Sequence, residues 1–538
     1  MQKHLASALS ALLVAGQFAA PAAASAQASG TPTATPIKHV VVIFGENISF
    51  DHYFGTYPIA TNPKGEPKFV AAWGTPSVNG LLQAGLMTAN PNFLNTTANG
   101  AGAMNPFRLD RSQAATNDMD HNYMPEQQAF DGGLMDSFPA FTGTAGPPPS
   151  GQTTKGLVMG YYDGNTVTAL WNYAQHFAMN DNAYGTNFGP STVGAINLIS
   201  GQTGGVDLAD SSNASSKMVS DGSGGFTDIG DADPTGDVCS TTTGATIHMT
   251  GQNIGDLLNA AGVTWGWFEG GFNLGWKNAN GSTGCNRTTT SAVTGVTEVD
   301  YIPHHQPFQY YSSTANPTHA RPTSMATVGY TDKANHQYDM HDFYNAINAG
   351  NFPAVSFLKA PGFQDAHAGY SDPIDEQTFV ATVINFLMTT PEWSSTAVFI
   401  NYDDSDGWYD HQLGQIVNQS ATPDDALNAP GQCGIGTASL PSPSGATHAQ
   451  GRCGYGPRIP LMLISPYAKT NFVDHTLNDQ TSIIRFIEDN WLSGTRIGTG
   501  SFDALAGSVN NMFQFSSAPN TLPYLLNPST GNPYSWEY

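Results

Sequence analysis

The stretch Ile37–Gly55, IKHVVVIFGENISFDHYFG, constrains the fold more than any other part of the chain. From Ile37 to Phe44 it is β-branched and apolar apart from Lys38-His39, and Gly45 closes it. A run this short and this continuously apolar offers no polar face to water. It reads as a strand buried on both sides, as in a parallel sheet. Glu46 and Asn47 follow at once. They place a carboxylate and an amide carbonyl just beyond the carboxyl end of the strand, where ligands gather in open α/β sheets. A plain polar turn could use the same two residues, so their meaning depends on what the rest of the chain brings to them.

Val263–Phe268, Val355–Ala360, Thr396–Tyr402 and Ile459–Ile464 read as further strands. Thr166–Ala178 has helical spacing with Asn165 or Thr166 as cap, and a tight turn at Gly189-Pro190 leads into a helix opening at Ser191. Ile254–Ala261, Phe379–Met388 (its first turn announced by Asp375-Glu376) and Asp479–Leu492 read as helices too. Strands alternating with helices predict an α/β fold with a mostly parallel central sheet flanked by helices. Ala60–Pro149, rich in Gly, Pro and Asn and without periodicity, reads as a long loop insertion over the surface of the sheet. No repeat or linker divides the core, which predicts one domain over residues 29–538.

Residues 1–28 have the form of a signal peptide. Lys3 precedes the mostly apolar Leu5–Ala20, and Ala24-Ser25-Ala26 or Ala26-Gln27-Ala28 supplies a small-residue cleavage site. The expectation is an exported protein, periplasmic or secreted, with no later stretch able to cross a membrane and no stable membrane insertion. Cys239, Cys285, Cys433 and Cys453 fit that compartment. Neighbour pairing would give two disulfides, although four cysteines allow three connectivities. The formal net charge of −24 argues against nucleic acid as a partner. Fifteen His against eighteen Lys+Arg means that any phosphate chemistry here must lean on His, metal and backbone N–H groups.

Two more strand ends carry ligand-type side chains. Asp403-Asp404 follows Thr396–Tyr402, and Gln364-Asp365-Ala366-His367 lies just past Val355–Ala360. Adjacent acids repel each other unless a cation neutralises them. Asp404-Ser405-Asp406 also spells D-x-D, a short motif shared with aspartyl nucleophiles. Ser191 is a candidate nucleophile at a helix start, where the dipole favours an alkoxide. An ordinary capping serine would occupy the same place. Its setting, G-P-S-T-x-G, is not the G-x-S-x-G elbow, and the chain holds no H-E-x-x-H. His121 and His367 sit in Asp-containing loops, and His304-His305 puts two imidazoles side by side.

Together these motifs resemble the bacterial phosphoesterase family of AcpA-type acid phosphatases and phospholipases C, a branch of the alkaline phosphatase superfamily. The likeness runs through HVVVIFGENISFDHYFGTYP, DMDHNY, FGPSTVGAINLISGQT, YIPHHQPFQYY, GFQDAHAGYSDP, FINYDDSDGWYDH and GPRIPLMLISPYAKTNFVDHTLNDQTSIIRFIEDNW. It implies an alkaline-phosphatase-like fold and one divalent metal ion held by Glu46, Asn47, Asp403 and Asp404, with Ser191 at the metal edge as nucleophile. It places His121, His304, His305 and His367 around the transferring phosphoryl group. Ser at position 191, where the phospholipase branch has Thr, makes the chain look like the acid phosphatase branch.

The implied activity is hydrolysis of phosphomonoesters through a phosphoserine, with an acidic optimum; the alternative is a phospholipase C acting on phosphatidylcholine-type lipids. In that alternative Trp265, Trp267 and Phe268 are candidates for an apolar rim at the site mouth. The partners expected are phosphorylated small molecules or a phospholipid. An all-oxygen ligand set suits Mg²⁺, Ca²⁺ or Mn²⁺ better than Zn²⁺, which relatives in the superfamily use.

Overall fold

A computed structural model describes residues 31–143, 155–434, 440–444 and 448–534. The expected leader and the last residues of the 60–149 insertion lie outside the described residues. Eight strands form the central sheet: β1 (His39–Gly45), β2 (Ala178–Asn180), β3 (Trp265–Glu269), β4 (Gln337–Asp339), β5 (Val355–Lys359), β6 (Thr396–Tyr402), β7 (Leu461–Ile464) and β8 (Phe472–Asp474). Their order is β4-β3-β5-β1-β6-β7-β2-β8. Every neighbouring pair is parallel except the two made by β7, which runs antiparallel to β6 and β2. The mostly parallel α/β sheet is the one the sequence predicts.

β1 shows why the sheet is central. Val41 and Ile43 enter one apolar layer, with the helices Thr168–His176, Met340–Asn348 and Pro373–Met388. Val40, Val42 and Phe44 enter the other, with Ser191–Ser200, Ile254–Ala261 and Thr481–Trp491. Successive side chains of a strand point to opposite faces, so a strand covered on both sides must be apolar at every position. β5 and β6 flank β1 in parallel register, Ile43 opposite Leu358 and Gly45 opposite Tyr402. The carboxyl ends of three strands therefore finish side by side.

Some expectations shift. The first long helix is Thr168–His176, shorter than predicted, and its cap residue Val167 makes no side-chain hydrogen bond. Asn165 is spent elsewhere, donating to Asn62 Oδ1 at 2.9 Å and to Pro67 O at 2.7 Å. Ala178 leaves the helix because the sheet takes it, pairing with Leu463 and Phe472. The Phe379–Met388 helix begins earlier, at Pro373, where the Asp372 carboxylate accepts from Ile374 N–H at 2.8 Å and Asp375 N–H at 3.2 Å. The 60–149 insertion is not only surface: Leu81, Met119, Tyr123, Phe130 and Phe138 are buried in the core layer that receives Val41. The disulfides join neighbours, Cys239 to Cys285 and Cys433 to Cys453.

The Pro373–Met388 helix also buries Glu376, whose carboxylate accepts the hydroxyls of Tyr53 and Tyr402. Burial pushes its pKa from 4.5 up to about 7, against the pull of those two hydrogen bonds. A folded-state pKa raised this way leaves stability whole below about pH 4.5 and erodes it as pH rises towards 7, because the charged form is then the buried one. The expected loss is about 3 kcal/mol, and Glu376→Gln should abolish it. Thermal melts of both proteins across that window test this; parallel curves would count against it.

Candidate active site

The in-register ends of β1 and β6 bring Glu46-Asn47 against Asp403-Asp404. Asn47 adopts φ +62°, a left-handed conformation that asparagine tolerates well. Its N–H donates to Asp403 Oδ1 at 2.8 Å, an oxygen that also accepts from Asp404 N–H at 2.7 Å. Ser191 is the first residue of its helix, with Pro190 at the cap, and its side chain caps nothing. Its hydroxyl lies instead within reach of Asp404 Oδ2 at 3.3 Å and Asn47 Oδ1 at 3.5 Å. One turn on, Gly194 lets the helix press against the end of β6, since a Cβ there would meet Asp403 O at 2.1 Å. The next N–H of the helix start, that of Thr192, is already taken by Asp231 Oδ1 at 3.0 Å.

The four histidines gather around this ring from separate loops. His121 Nδ1 lies 2.9 Å from Met119 O and 3.3 Å from Asp406 Oδ1, and its Nε2 faces Asn47 Nδ2 at 3.5 Å. His305 Nδ1 is 3.4 Å from Glu46 Oε1 and 3.8 Å from Asp365 Oδ2. His304 packs edge-on against His305 and reaches towards Asp233 at 3.6 Å. His367 stacks on Tyr370 and meets His121 edge-on, with ring centroids 6.0 Å apart. Burial works against charge on all four. Asp404, Asp118 and Asp406 still raise the pKa of His121 well above the ordinary value, and Asp233 and Asp231 raise that of His304. His305 is pushed well down by burial and by His304 and His367, and burial also lowers His367.

Further groups complete the site. Lys359, the last residue of β5, is buried and ion-pairs with Glu46 Oε1; burial lowers its pKa, while Asp403, Asp365 and Asp404 oppose that. Burial pushes Asp365 up to about 8, partly offset by Lys359. Asp406 accepts from Asn47 Nδ2 at 3.0 Å, so the second acid of D-x-D supports Asn47 and His121. The signal for Lys359 was present: a lysine ending an apolar strand needs a counter-ion.

The donor set fits a cation. Glu46 Oε2, Asp403 Oδ2 and Asp406 Oδ2 are buried carboxylate oxygens without a hydrogen-bond partner. Burial, then the neighbouring Asp403 charge, holds Asp404 well above the usual carboxylate range. Hard oxygens crowded in this way are stabilised by a divalent ion. Asp118, His121 and His367 also bring ligand atoms within 4.8 Å of one another and could hold an ion.

A cavity of about 280 Å³ lies elsewhere, lined by Tyr344, Phe363 and Phe379 with Arg287 between Asp300 and Asp339. Gln364 borders it, but Ser191, the four histidines and the Glu46, Asn47, Asp403 and Asp404 set do not, so its size does not make it the catalytic candidate. Trp265, Trp267 and Phe268 form no rim. They lie in β3, buried on both faces, and the indole N–H groups of the two tryptophans bond Asn259 and Glu269 inside the protein.

Residues 37–492 match the Phosphoesterase family. The chain belongs to that family. It is 25% identical over 516 residues to "Non-hemolytic phospholipase C" of Burkholderia pseudomallei, covering 93% of this chain and 62% of that protein. The protein of the same description from Pseudomonas aeruginosa is 25% identical over 503 residues, covering 92% and 59%. "Phospholipase C A" of Mycobacterium tuberculosis is 24% identical over 510 residues, covering 92% and 81%. The chain thus spans about three-fifths of the length of the first two. A solved structure of a protein in the alkaline phosphatase superfamily from Vibrio parahaemolyticus covers 76% of this chain and is itself covered to 77%, at 11% identity and a TM-score of 0.26, too distant to carry an argument.

Proposed function

We propose that the chain is a phosphoric ester hydrolase in which Ser191 attacks phosphorus, with phosphomonoesters as its substrates. The observation that carries this is Ser191 Oγ, not used as a helix cap and aimed at Asp404 and Asn47 inside a ring of partnerless carboxylate oxygens. Glu46, Asn47, Asp403 and Asp404 would hold one divalent ion beside Ser191. When bound, it supplies Lewis-acid polarisation of phosphoryl oxygens and favours the serine alkoxide.

The chain's own groups account for the rest. The Ser191 hydroxyl proton has Asp404 Oδ2 as its acceptor. A bond forms from Oγ to phosphorus as the ester oxygen leaves and takes up a proton, giving phosphoserine and an alcohol. Water then displaces Oγ and releases phosphate. His121, His304, His305 and His367 line the phosphoryl position as hydrogen-bond donors. An acidic optimum belongs to this proposal because burial lowers His367, so that imidazole gains its charge only below neutral pH, while the neighbouring acids raise His121 and His304.

A second reading, phospholipase C activity on a phosphodiester, is favoured by the names of the relatives and by Leu134 and Phe141. These are 64% and 37% exposed on the insertion that also carries His121. Export is proposed from the leader and the two disulfides. Among the described residues no helix is long and apolar enough to cross a membrane.

Steady-state hydrolysis of p-nitrophenyl phosphate and of phosphatidylcholine vesicles, from about pH 5 to 8, tests the proposal. Monoester turnover rising towards acid supports it, and turnover of the lipid alone would replace it with the second reading. Chelation is expected to lower kcat by about 100-fold or more. Singly added Mg²⁺, Ca²⁺, Mn²⁺ and Zn²⁺ should differ in restoring it, and a chelator with no effect would remove the metal from the proposal.

A further inference from the structure

The helix Tyr123–Phe130 begins two residues after His121 and buries a carboxylate, Glu126, at 1% exposure. Glu126 Oε2 accepts the N–H of Gly189 at 3.0 Å, and Oε1 accepts the hydroxyl of Ser405 at 2.7 Å. Gly189 stands two residues before Ser191 in the turn that launches its helix. That turn is tight: Gly189 has φ +122°, and a Cβ there would lie 3.2 Å from Val193. Ser405 follows Asp404 directly, and its oxygen also accepts Gly407 N–H at 3.0 Å. One side chain thus joins the nucleophile turn to the acid loop, from a helix adjoining the first histidine.

The helix is itself anchored. Tyr123 OH donates to Asp425 Oδ1 at 2.7 Å and accepts from Cys453 N–H at 2.9 Å, and Cys453 is itself tied to Cys433 by a disulfide. Gln127 Oε1 accepts from Ala426 N–H at 3.0 Å. A carboxylate costs stability in such a place unless its hydrogen bonds are made, and here both oxygens are used.

We propose that Glu126 is a positioning residue for Ser191: it sets the distance between the nucleophile turn and the Asp403–Asp404 loop. This rests on the reading of Ser191 as nucleophile. A misplacement of about 1 Å at a reacting group can lower a rate by about 100-fold, which is the scale of effect open to such a clamp.

The test compares wild type, Glu126→Leu, Glu126→Gln and Ser191→Ala, each metal-loaded, by kinetics and by hydrogen exchange of the peptide spanning Gly189–Ser191. Glu126→Leu is expected to lower kcat by about 30- to 100-fold with KM changed less than about 3-fold. Glu126→Gln keeps an acceptor for Gly189 and a polar partner for Ser405, and should stay within about 5-fold of wild type. Exchange at Gly189–Ser191 should quicken in the Leu variant only. Wild-type kcat or unchanged exchange in a folded Glu126→Leu overturns the proposal. Should that variant fail to fold, Ser405→Ala cuts one arm of the bridge and should lower kcat by about 5-fold with KM unchanged; wild-type kcat there overturns it. If Ser191→Ala keeps full activity, the nucleophile reading fails instead, and exchange in Glu126→Leu still decides whether the clamp exists.

Discussion

Ser191→Ala is expected to reduce phosphomonoester turnover by about 10³-fold or more while leaving the fold intact. Both halves follow from where the hydroxyl points. It caps no helix, and its two hydrogen bonds are long, 3.3 and 3.5 Å, so its loss removes little stability. It also points into the carboxylate ring, at Asp404 and Asn47, so its loss removes the group that would bond to phosphorus. Melting temperature and kcat on the same preparation separate the two effects. A stable, fully active variant would require another nucleophile. An unstable one would make Ser191 structural after all.

Arg458→Met should destabilise the protein by about 3–5 kcal/mol, the largest stability effect expected of a single substitution here. Arg458 is fully buried. Its guanidinium bonds Asp410 at 3.0–3.2 Å and Asp51 at 3.2 Å, donates to Asn79 O at 2.6 Å and Asp181 O at 2.9 Å, and lies over the Phe50 ring. Asp51, Asp410 and His411 alone could be taken for a metal group, but this guanidinium already supplies their cation. Removing it leaves two buried carboxylates facing each other, with the His411 imidazole, 2.6 Å from Asp51, too little to balance both. The cluster also fixes the short helix Phe50–Phe54 directly behind Asn47, so the variant should lose metal affinity along with stability. Asp51→Asn and Asp410→Asn added to Arg458→Met should recover much of the loss. A melting temperature unmoved by Arg458→Met would refute the uncompensated-charge explanation.

How much was readable from sequence depended on reach along the chain. β1 and β6 were legible because each is a seven-residue run without a polar face, and their acids were legible because they follow directly. The meeting of Asn47 with Asp403 then needs only parallel register. β2, β4 and β8 were not legible: AMN, QYD and FVD hold three residues each and become strands through their neighbours. Ser371-Asp372-Pro373 carried a helix-start signal, a capping acid before proline, that lay ahead of the apolar periodicity. Trp265, Trp267 and Phe268 were rim candidates only under the phospholipase alternative, and in a sheet covered on both faces every position is interior. Glu126 had no local signature, since its partners lie 63 and 279 residues away.

The central claim is that Ser191 takes the phosphoryl group. Its most direct test is acid quench of metal-loaded wild type during turnover of a phosphomonoester, followed by mass-spectrometric mapping of the peptide that contains Ser191. The expected result is phosphate on Ser191 during turnover, with no modified peptide in Ser191→Ala. Turnover with Ser191 unmodified at every quench time, alongside undiminished activity in Ser191→Ala, would contradict it.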